Sequence, residues 1–117
     1  MKVTGLSWAG TRTDQFDGMV RFLEEVMGIE RDEEQPGFVS FKLPRGDKFE
    51  VFGTDDSDHD FMTTGPAVGF AVSDLDEARS ELEGAGIEFM EPTQQEGDFR
   101  WAHFRGPDGN IYEITSS

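Results

Sequence analysis

The sequence FVSFKLPRGDKFEV at residues 38–51 recurs with substitutions as WAHFRGPDGNIYEI at residues 101–114. Four positions are identical at this constant spacing, and most of the others are conservative exchanges. A shorter match, Gly-Ile-Glu, begins at Gly28 and again at Gly86. Self-similarity of this kind indicates one structural unit that has been duplicated. A chain of 117 residues fits one domain, so we place repeat one at about residues 1–56 and repeat two at about residues 65–117 within a single domain, 1–117.

Each repeat has the pattern of a strand, a helix and three further strands. First strands are predicted at about residues 3–11 and 67–73. Helices are predicted near residues 14–27 and 74–84, the first with an apolar stripe that ends at Met27. We therefore expect an α+β fold of tandem βαβββ repeats, in which a curved mixed sheet forms a cup with the helices on its outer face.

Capping and turn residues predict where the helices begin and where the connecting loops lie. Thr13 or Asp14 is a candidate N-cap for the first helix and Asp74 for the second. Further strands are predicted to begin at Ile29 and Ile87. The polar segments 54–60 and 93–98 are interpreted as surface connections, and the turn-rich segments 43–47 and 106–110 as hairpin loops.

These hairpin loops predict which residues lie opposite each other, and alternation then assigns them to two faces. One face is apolar and should pack against the helices. The other mixes aromatic with polar side chains, and we expect it to line the cup, although a solvated sheet face is an equally ordinary outcome. In repeat one this face carries Phe38, Ser40, Glu50 and Phe52; in repeat two it carries Trp101, His103 and Glu113.

The repeat, the helix end FLEEVMGI at residues 22–29 and the motif WAHFRGPDGNIYEI at residues 101–114 resemble the vicinal oxygen chelate (glyoxalase/bleomycin resistance/dioxygenase) superfamily. The resemblance implies that metal-dependent members take ligands, usually His or Glu, from the first and last strand of each repeat. Here the last-strand positions are Glu50 and Glu113. The first-strand positions are Trp8 and Ala67, or Val68 if the register slips by one.

Two carboxylates without an imidazole suit zinc, nickel or iron(II) poorly. We therefore expect no cofactor and no tightly bound transition metal, while a weak magnesium or manganese site at Glu50 and Glu113 stays open. Both carboxylates are expected in one cup, in which Trp8, Ser40, Trp101 and His103 also lie.

His103 is predicted to lie directly across from Glu113, within side-chain reach. Such a pair could work as a general base and its orienting group, or it could be a structural hydrogen bond. The other histidine, His59, lies within the acidic run DDSDHD at residues 55–60 and is interpreted as a solvated loop residue.

The net charge of the chain disfavours some classes of binding partner. The chain has 25 acidic and 10 basic residues and a net charge of −15, which disfavours nucleic acid and anionic membranes. It has no cysteine, as fits a cytoplasmic protein. The leading hypothesis is a binding protein for a small organic ligand, with a cationic or hydrogen-bonding guest stacked on the rings.

Two further hypotheses stay open. The first is an enzyme of the same superfamily, a glyoxalase-like lyase, an isomerase, a transferase or a dioxygenase-type member. The second is a non-catalytic accessory subunit. The resemblance also implies a homodimer.

Overall fold

The structure, a computed structural model, describes all residues from 1 to 117. It has the predicted α+β fold, with eight strands and two helices arranged as two successive βαβββ repeats. The first repeat contains β1 (Val3–Arg12), α1 (Phe16–Arg21) with a π-helical segment (Phe22–Val26), β2 (Glu30–Gln35), β3 (Phe38–Lys42) and β4 (Lys48–Phe52). The second contains β5 (Ala67–Val72), α2 (Leu75–Gly84), β6 (Gln94–Glu96), β7 (Phe99–Arg105) and β8 (Ile111–Ser116).

The chain forms two compact units that nearly coincide with the repeats. One comprises Trp8–Pro66, and the other comprises Met1–Ser7 with Ala67–Ser117, so β1 contributes to both. In the first unit β2, β3 and β4 are antiparallel neighbours, and β4 runs parallel to the end of β1. In the second, β5 runs parallel to β8, and β8, β7 and β6 are antiparallel neighbours. Both units therefore contain mixed pairing.

The predicted hairpin register is confirmed at every position. Because each hairpin loop is short and turn-rich, local chemistry is enough to set the pairing. The first hairpin pairs Phe38–Phe52, Val39–Val51, Ser40–Glu50, Phe41–Phe49 and Lys42–Lys48. The second pairs Trp101–Thr115, Ala102–Ile114, His103–Glu113, Phe104–Tyr112 and Arg105–Ile111.

Each unit buries its apolar sheet face against its own helix, as predicted. In the first unit Val20 and Leu23 pack on the buried strand residues Val39, Phe41 and Val51. In the second the corresponding cluster is Val72, Leu75, Ala78, Ala102, Phe104 and Ile114. The opposite face of each sheet is thereby left to carry the polar and aromatic candidates. No helix is both long enough and apolar enough to span a bilayer.

The start of α1 differs from the prediction. The helix begins at Phe16 rather than Asp14, and its N-cap Gln15 makes no side-chain capping bond. Thr13 instead accepts a hydrogen bond from the Gln15 N–H at 3.0 Å. This local bond holds the chain in a turn, so the helix starts two residues later.

The second half of this helix is π-helical, which the sequence pattern did not predict. The Met27 N–H donates to the Phe22 carbonyl at 3.0 Å, five residues back. The wider turn rotates Met27 off the predicted apolar stripe, and its side chain is 57% exposed. In the second helix Asp74 is the N-cap as predicted, and its carboxylate accepts from the Glu77 N–H at 3.0 Å.

The strand predicted at Ile87 is wrong. Phe89 makes one isolated bridge with Phe104, and the strand that pairs with β7 is β6, inside the polar segment interpreted as a connection. All three β6 residues are exposed. An edge strand with no buried side chain shows no apolar alternation, so periodicity cannot reveal it.

Candidate functional site

Glu50 lies at the centre of the polar face of the first unit. On one side it pairs with Ser40 of β3, and on the other it is level with Gly10 of β1. The indole N–H of Trp8 donates a hydrogen bond to the Glu50 carboxylate. We call the surface formed by Trp8, Phe38, Glu50, Phe52 and His59 the aromatic face.

Gly10 makes the position of Trp8 possible. A Cβ atom at Gly10 would lie 2.5 Å from Cζ2 and 2.9 Å from Cη2 of Trp8. The indole therefore lies over the glycine along the strand, and this brings its N–H to Glu50. Trp8 is 8% exposed in this arrangement, so it forms part of the wall of the aromatic face.

Phe52 is the ring on which the others on this face converge. It is 2% exposed, and its centroid lies 5.3 Å from that of Phe38 and 6.5 Å from that of Trp8. The His59 imidazole stacks on it at 3.9 Å with an interplanar angle of 22°. His59 lies on a loop as predicted, but the interpretation that it is solvated is wrong, because its ring stacks on Phe52 and its side chain is only 27% exposed.

Ser40, a predicted ligand-pocket residue, has a structural contact. It is 1% exposed, and its hydroxyl accepts a hydrogen bond from the Glu33 N–H at 3.1 Å. That bond falls where the register between β2 and β3 shifts, between Arg31 and Glu33. Ser40 therefore satisfies the backbone beside the bulge.

The second unit carries a buried ion cluster centred on His103. Its Nε2 lies 2.8 Å from Glu113 Oε2, which confirms the predicted pair, and its Nδ1 lies 3.1 Å from Glu91 Oε1. Glu91 also accepts a hydrogen bond from the His103 backbone N–H. The imidazole is thus held between two carboxylates. Trp101, on the same strand as His103, is half-buried and stacks with Phe99 at 5.5 Å.

The two carboxylates keep His103 charged. Burial by itself would lower the pKa of His103, but the hydrogen bonds and charges of Glu113 and Glu91 outweigh it and raise the pKa to about 9. Burial works to raise the pKa of Glu91, whereas the hydrogen bonds from His103 lower it below its usual value. At neutral pH His103 is therefore an imidazolium, which donates protons and has no lone pair with which to accept one.

The structure settles the equivalence of the first-strand positions. Gly10 is level with Glu50 and Gly69 is level with Glu113. Trp8 and Ala67 lie two residues before these glycines, so Ala67, not Val68, corresponds to Trp8. An indole N–H cannot coordinate a metal and alanine has no donor atom.

Both last-strand carboxylates are already engaged by N–H donors, Glu50 by Trp8 and Glu113 by His103. In neither unit, therefore, do the residues fit the metal-ligand set that the resemblance describes.

Sequence reasoning missed two residues on these faces, Glu91 and Arg12. Glu91 lies in a segment without regular strand periodicity, and only its position before Pro92 hints at a fixed backbone. Arg12 is level with Phe52, and alternation from Trp8 through Gly10 could have placed it there.

Arg12 differs from the other partly buried arginines in having no carboxylate partner. Its Nε is buried and has no hydrogen-bond partner, whereas Arg31, Arg79 and Arg100 each pair with a carboxylate. An unmet buried donor costs about 1–3 kcal/mol. Arg12 is thus held at this position at some cost to stability.

Comparison with known proteins identifies the family. The family model of the Glyoxalase/Bleomycin resistance protein/Dioxygenase superfamily matches residues 5–114. The chain therefore belongs to this superfamily, as its repeat and terminal motif indicated. No curated protein sequence matches it.

Solved structures share the fold at low identity. A superfamily member from Vibrio splendidus 12B01 has a TM-score of 0.73 and 15% identity over 99% of this chain and 100% of its own. Methylmalonyl-CoA epimerase from Mycobacterium tuberculosis has a TM-score of 0.70 and 18% identity, over 97% of this chain and 88% of its own. The Mn(II)-bound glyoxalase from Novosphingobium aromaticivorans has a TM-score of 0.77 and 20% identity, over 98% of this chain and 39% of its own. At these identities the likeness shows the fold alone.

Proposed function

We propose that this protein binds a small organic ligand on its aromatic face without a tightly held transition metal. The ligand is a planar molecule with a cationic or hydrogen-bond-donating group, stacked on the exposed part of Phe38 and bound to Glu50. This binding role belongs within the superfamily but does not use its metal chemistry.

The observation that carries the proposal is the hydrogen bond from the Trp8 indole to Glu50. A first-strand position that the resemblance gives to a metal ligand is taken here by an N–H donor. The carboxylate is therefore organised to accept hydrogen bonds from ring nitrogen. Glu50 is half-buried on the same face as these rings. Acidic composition favours a cationic guest over an anionic one.

Three probes of matched shape test the charge preference: benzamidine, benzamide and benzoate. Binding is followed by tryptophan fluorescence and by amide chemical shifts around Phe38 and Glu50. We expect benzamidine to bind most tightly and benzoate least. Glu50→Gln should weaken benzamidine binding by about tenfold, the loss of one charge-assisted hydrogen bond. Glu30→Gln removes an equivalent charge from exposed β2 and should have no effect.

Elemental analysis of the purified protein tests the metal part of the proposal. We expect substoichiometric zinc, nickel, iron and manganese, and no thermal shift with divalent cations in the wild type. Stoichiometric metal that is lost in Glu50→Gln or Glu113→Gln would refute the proposal and favour a metal-assisted enzyme.

A second candidate function is acid–base catalysis in the second unit, favoured by the buried His103–Glu113 pair. In this case His103 is the proton donor, since it is charged at neutral pH, and Glu113 is the acceptor. Isomerase or lyase chemistry at carbon next to a carbonyl would use such a pair. Exchange of solvent deuterium into a panel of 2-oxo acids and thioesters, lost in His103→Gln, would support this function over simple binding.

We further propose a cytoplasmic homodimer with no nucleic-acid or membrane partner. Exposed apolar side chains in both units support the dimer: Val3, Leu6, Phe22, Val26 and Met27. The absence of cysteine fits a reducing compartment. Fractionation of cells that express the protein tests its location.

A further inference from the structure

We propose that the His59 imidazole occupies the place of a planar ring of the ligand, and that Phe52 and Asp56 form a subsite for a planar nitrogen heterocycle with N–H donors. A bound ligand displaces His59, stacks on Phe52 and donates to Asp56. This inference rests on the proposed function and specifies the chemical class of its ligand.

The His59 imidazole stacks closely on Phe52. The His59 and Phe52 rings are nearly parallel at 3.9 Å between centroids, which is closer than the 5.3 Å between Phe52 and Phe38. With His59 in place, Phe52 is only 2% exposed. The imidazole covers a flat aromatic surface of a kind that other planar rings also bind.

Asp56 places a carboxylate at the edge of the stacked His59 ring. His59 Nδ1 lies 2.8 Å from Asp56 Oδ2, and the Asp56 side chain is 13% exposed against 27% for His59. The other oxygen, Oδ1, accepts from the Asp58 N–H at 2.8 Å. Asp56 is therefore held by its own turn, so it keeps its orientation when the imidazole moves away.

One pattern of contacts occurs twice on the aromatic face. Trp8 and His59 are both planar nitrogen heterocycles in contact with Phe52, and each directs a ring nitrogen to a carboxylate, Glu50 or Asp56. Both carboxylates are thus arranged for ring N–H groups. A cationic heterocycle satisfies both the stacking surface and the carboxylate, and it gains from the negative charge of the chain.

His59 lies on an irregular segment. Residues 54–66 contain no helix and no strand. Met62 is 6% exposed and holds the segment in place, and its N–H bonds to the His59 carbonyl at 3.1 Å. Turning His59 about its side-chain bonds moves the imidazole without disturbing the strand pairing of β4.

The test uses 2-aminobenzimidazole, which is planar, cationic at neutral pH and rich in N–H, with benzofuran as its counterpart lacking N–H. In wild-type protein we expect 2-aminobenzimidazole to bind and benzofuran not to bind. On binding, the His59 ring protons should lose the ring-current shift imposed by Phe52, as measured by NMR. Unchanged His59 shifts at saturation would overturn the inference, and this measurement needs no variant.

Variants provide the second arm. His59→Ala should bind 2-aminobenzimidazole about tenfold tighter than wild type. In this variant the ligand does not have to break the stack of His59 on Phe52 or its hydrogen bond to Asp56, each of which is of ordinary strength. Adding Asp56→Asn should cancel this gain, while Asp60→Asn, at an exposed carboxylate of the same segment, should leave it intact. His59→Phe should block binding. Equal or weaker binding by His59→Ala would overturn the inference.

The two proposals fail separately. If benzamidine still binds in a Glu50-dependent manner while His59→Ala changes nothing, the ligand-binding function stands and the subsite on Phe52 does not. If no probe binds to wild type or to His59→Ala, both are wrong.

Discussion

His103 is buried and charged, a combination that depends on its two neighbours. An isolated buried imidazole loses its proton, because the interior solvates charge poorly. Glu113 and Glu91 reverse this effect through hydrogen bonds and charge. Glu91 therefore adds to the larger effect of Glu113 on the protonation of His103, although the hairpin pattern pointed only to Glu113.

Stability should depend on pH through this cluster. The folded pKa of His103, about 9, lies above the ordinary value of 6.5. Its contribution is present in full below pH 6.5 and is lost as pH rises through 9. The lowered pKa of Glu91 acts in the opposite direction, since its contribution is lost as pH falls below the usual carboxyl range. We expect the free energy of unfolding to decrease by a few kcal/mol between about pH 6 and about pH 10.

Denaturant unfolding at several pH values measures this decrease. His103→Gln should remove most of it, and Glu91→Gln should shift it to lower pH because the imidazolium loses one partner. A pH dependence that is the same in wild type and His103→Gln would contradict the prediction.

Gly10 is needed at its position because the Trp8 ring packs directly against it. In Gly10→Ala the new methyl group meets the Trp8 ring at 2.5 Å and the Glu50 carbonyl at 3.2 Å. We expect a loss of about 1–3 kcal/mol in unfolding free energy, as for other overpacked sites. Gly5→Ala is the matched control in the same strand, because nothing lies within 4 Å of its Cβ position.

A double-mutant cycle identifies the cause. If contact with the Trp8 ring causes the destabilisation, Gly10→Ala should lower the unfolding free energy much less in a Trp8→Ala background. An equal loss of unfolding free energy in both backgrounds would assign the effect to the backbone of β4 instead.

The two helices differ in how they begin, and this difference can be measured. Asp74 caps α2 through the Glu77 N–H, whereas α1 has no side-chain cap and Asp14 makes no capping bond. Asp74→Ala should therefore destabilise the protein by about 1 kcal/mol. Asp14→Ala should change stability by less than about 0.5 kcal/mol. Thermal and denaturant unfolding of both variants check the contrast, and equal losses would show that Asp14 also caps.

The exposed apolar side chains of the whole chain lead to a prediction about assembly. Leu6 is 61% exposed and Val26 is 73% exposed, surfaces that a monomer would leave in water. We expect light scattering at micromolar concentration to give twice the mass of one chain. Val26→Asp or Leu6→Asp should shift the population toward monomer, whereas Ser80→Asp, at an exposed position of α2, should not. Monomer mass for the wild type would contradict the prediction.

Alternation and turn chemistry were sufficient for the two hairpin registers and the two helix-packed cores. The reason is physical: hairpin pairing is a local property, set by a five-residue loop and a period of two. The position of Glu50 and of Glu113 on the polar faces followed directly. The same reasoning failed for β6, whose pairing depends only on backbone hydrogen bonds to β7.

Contacts made across irregular segments needed the tertiary structure. His59 covers Phe52 and Glu91 holds His103 because the segments at 53–66 and 87–93 fold back onto the sheets. Neither segment has a period, so neighbours along the chain do not predict where a side chain points. Periodic backbone transmits its geometry from residue to residue, whereas an irregular segment is placed by the surfaces against which it packs. The two hairpins were therefore readable from the amino acids alone, and the closest contacts of the candidate site were decided by packing.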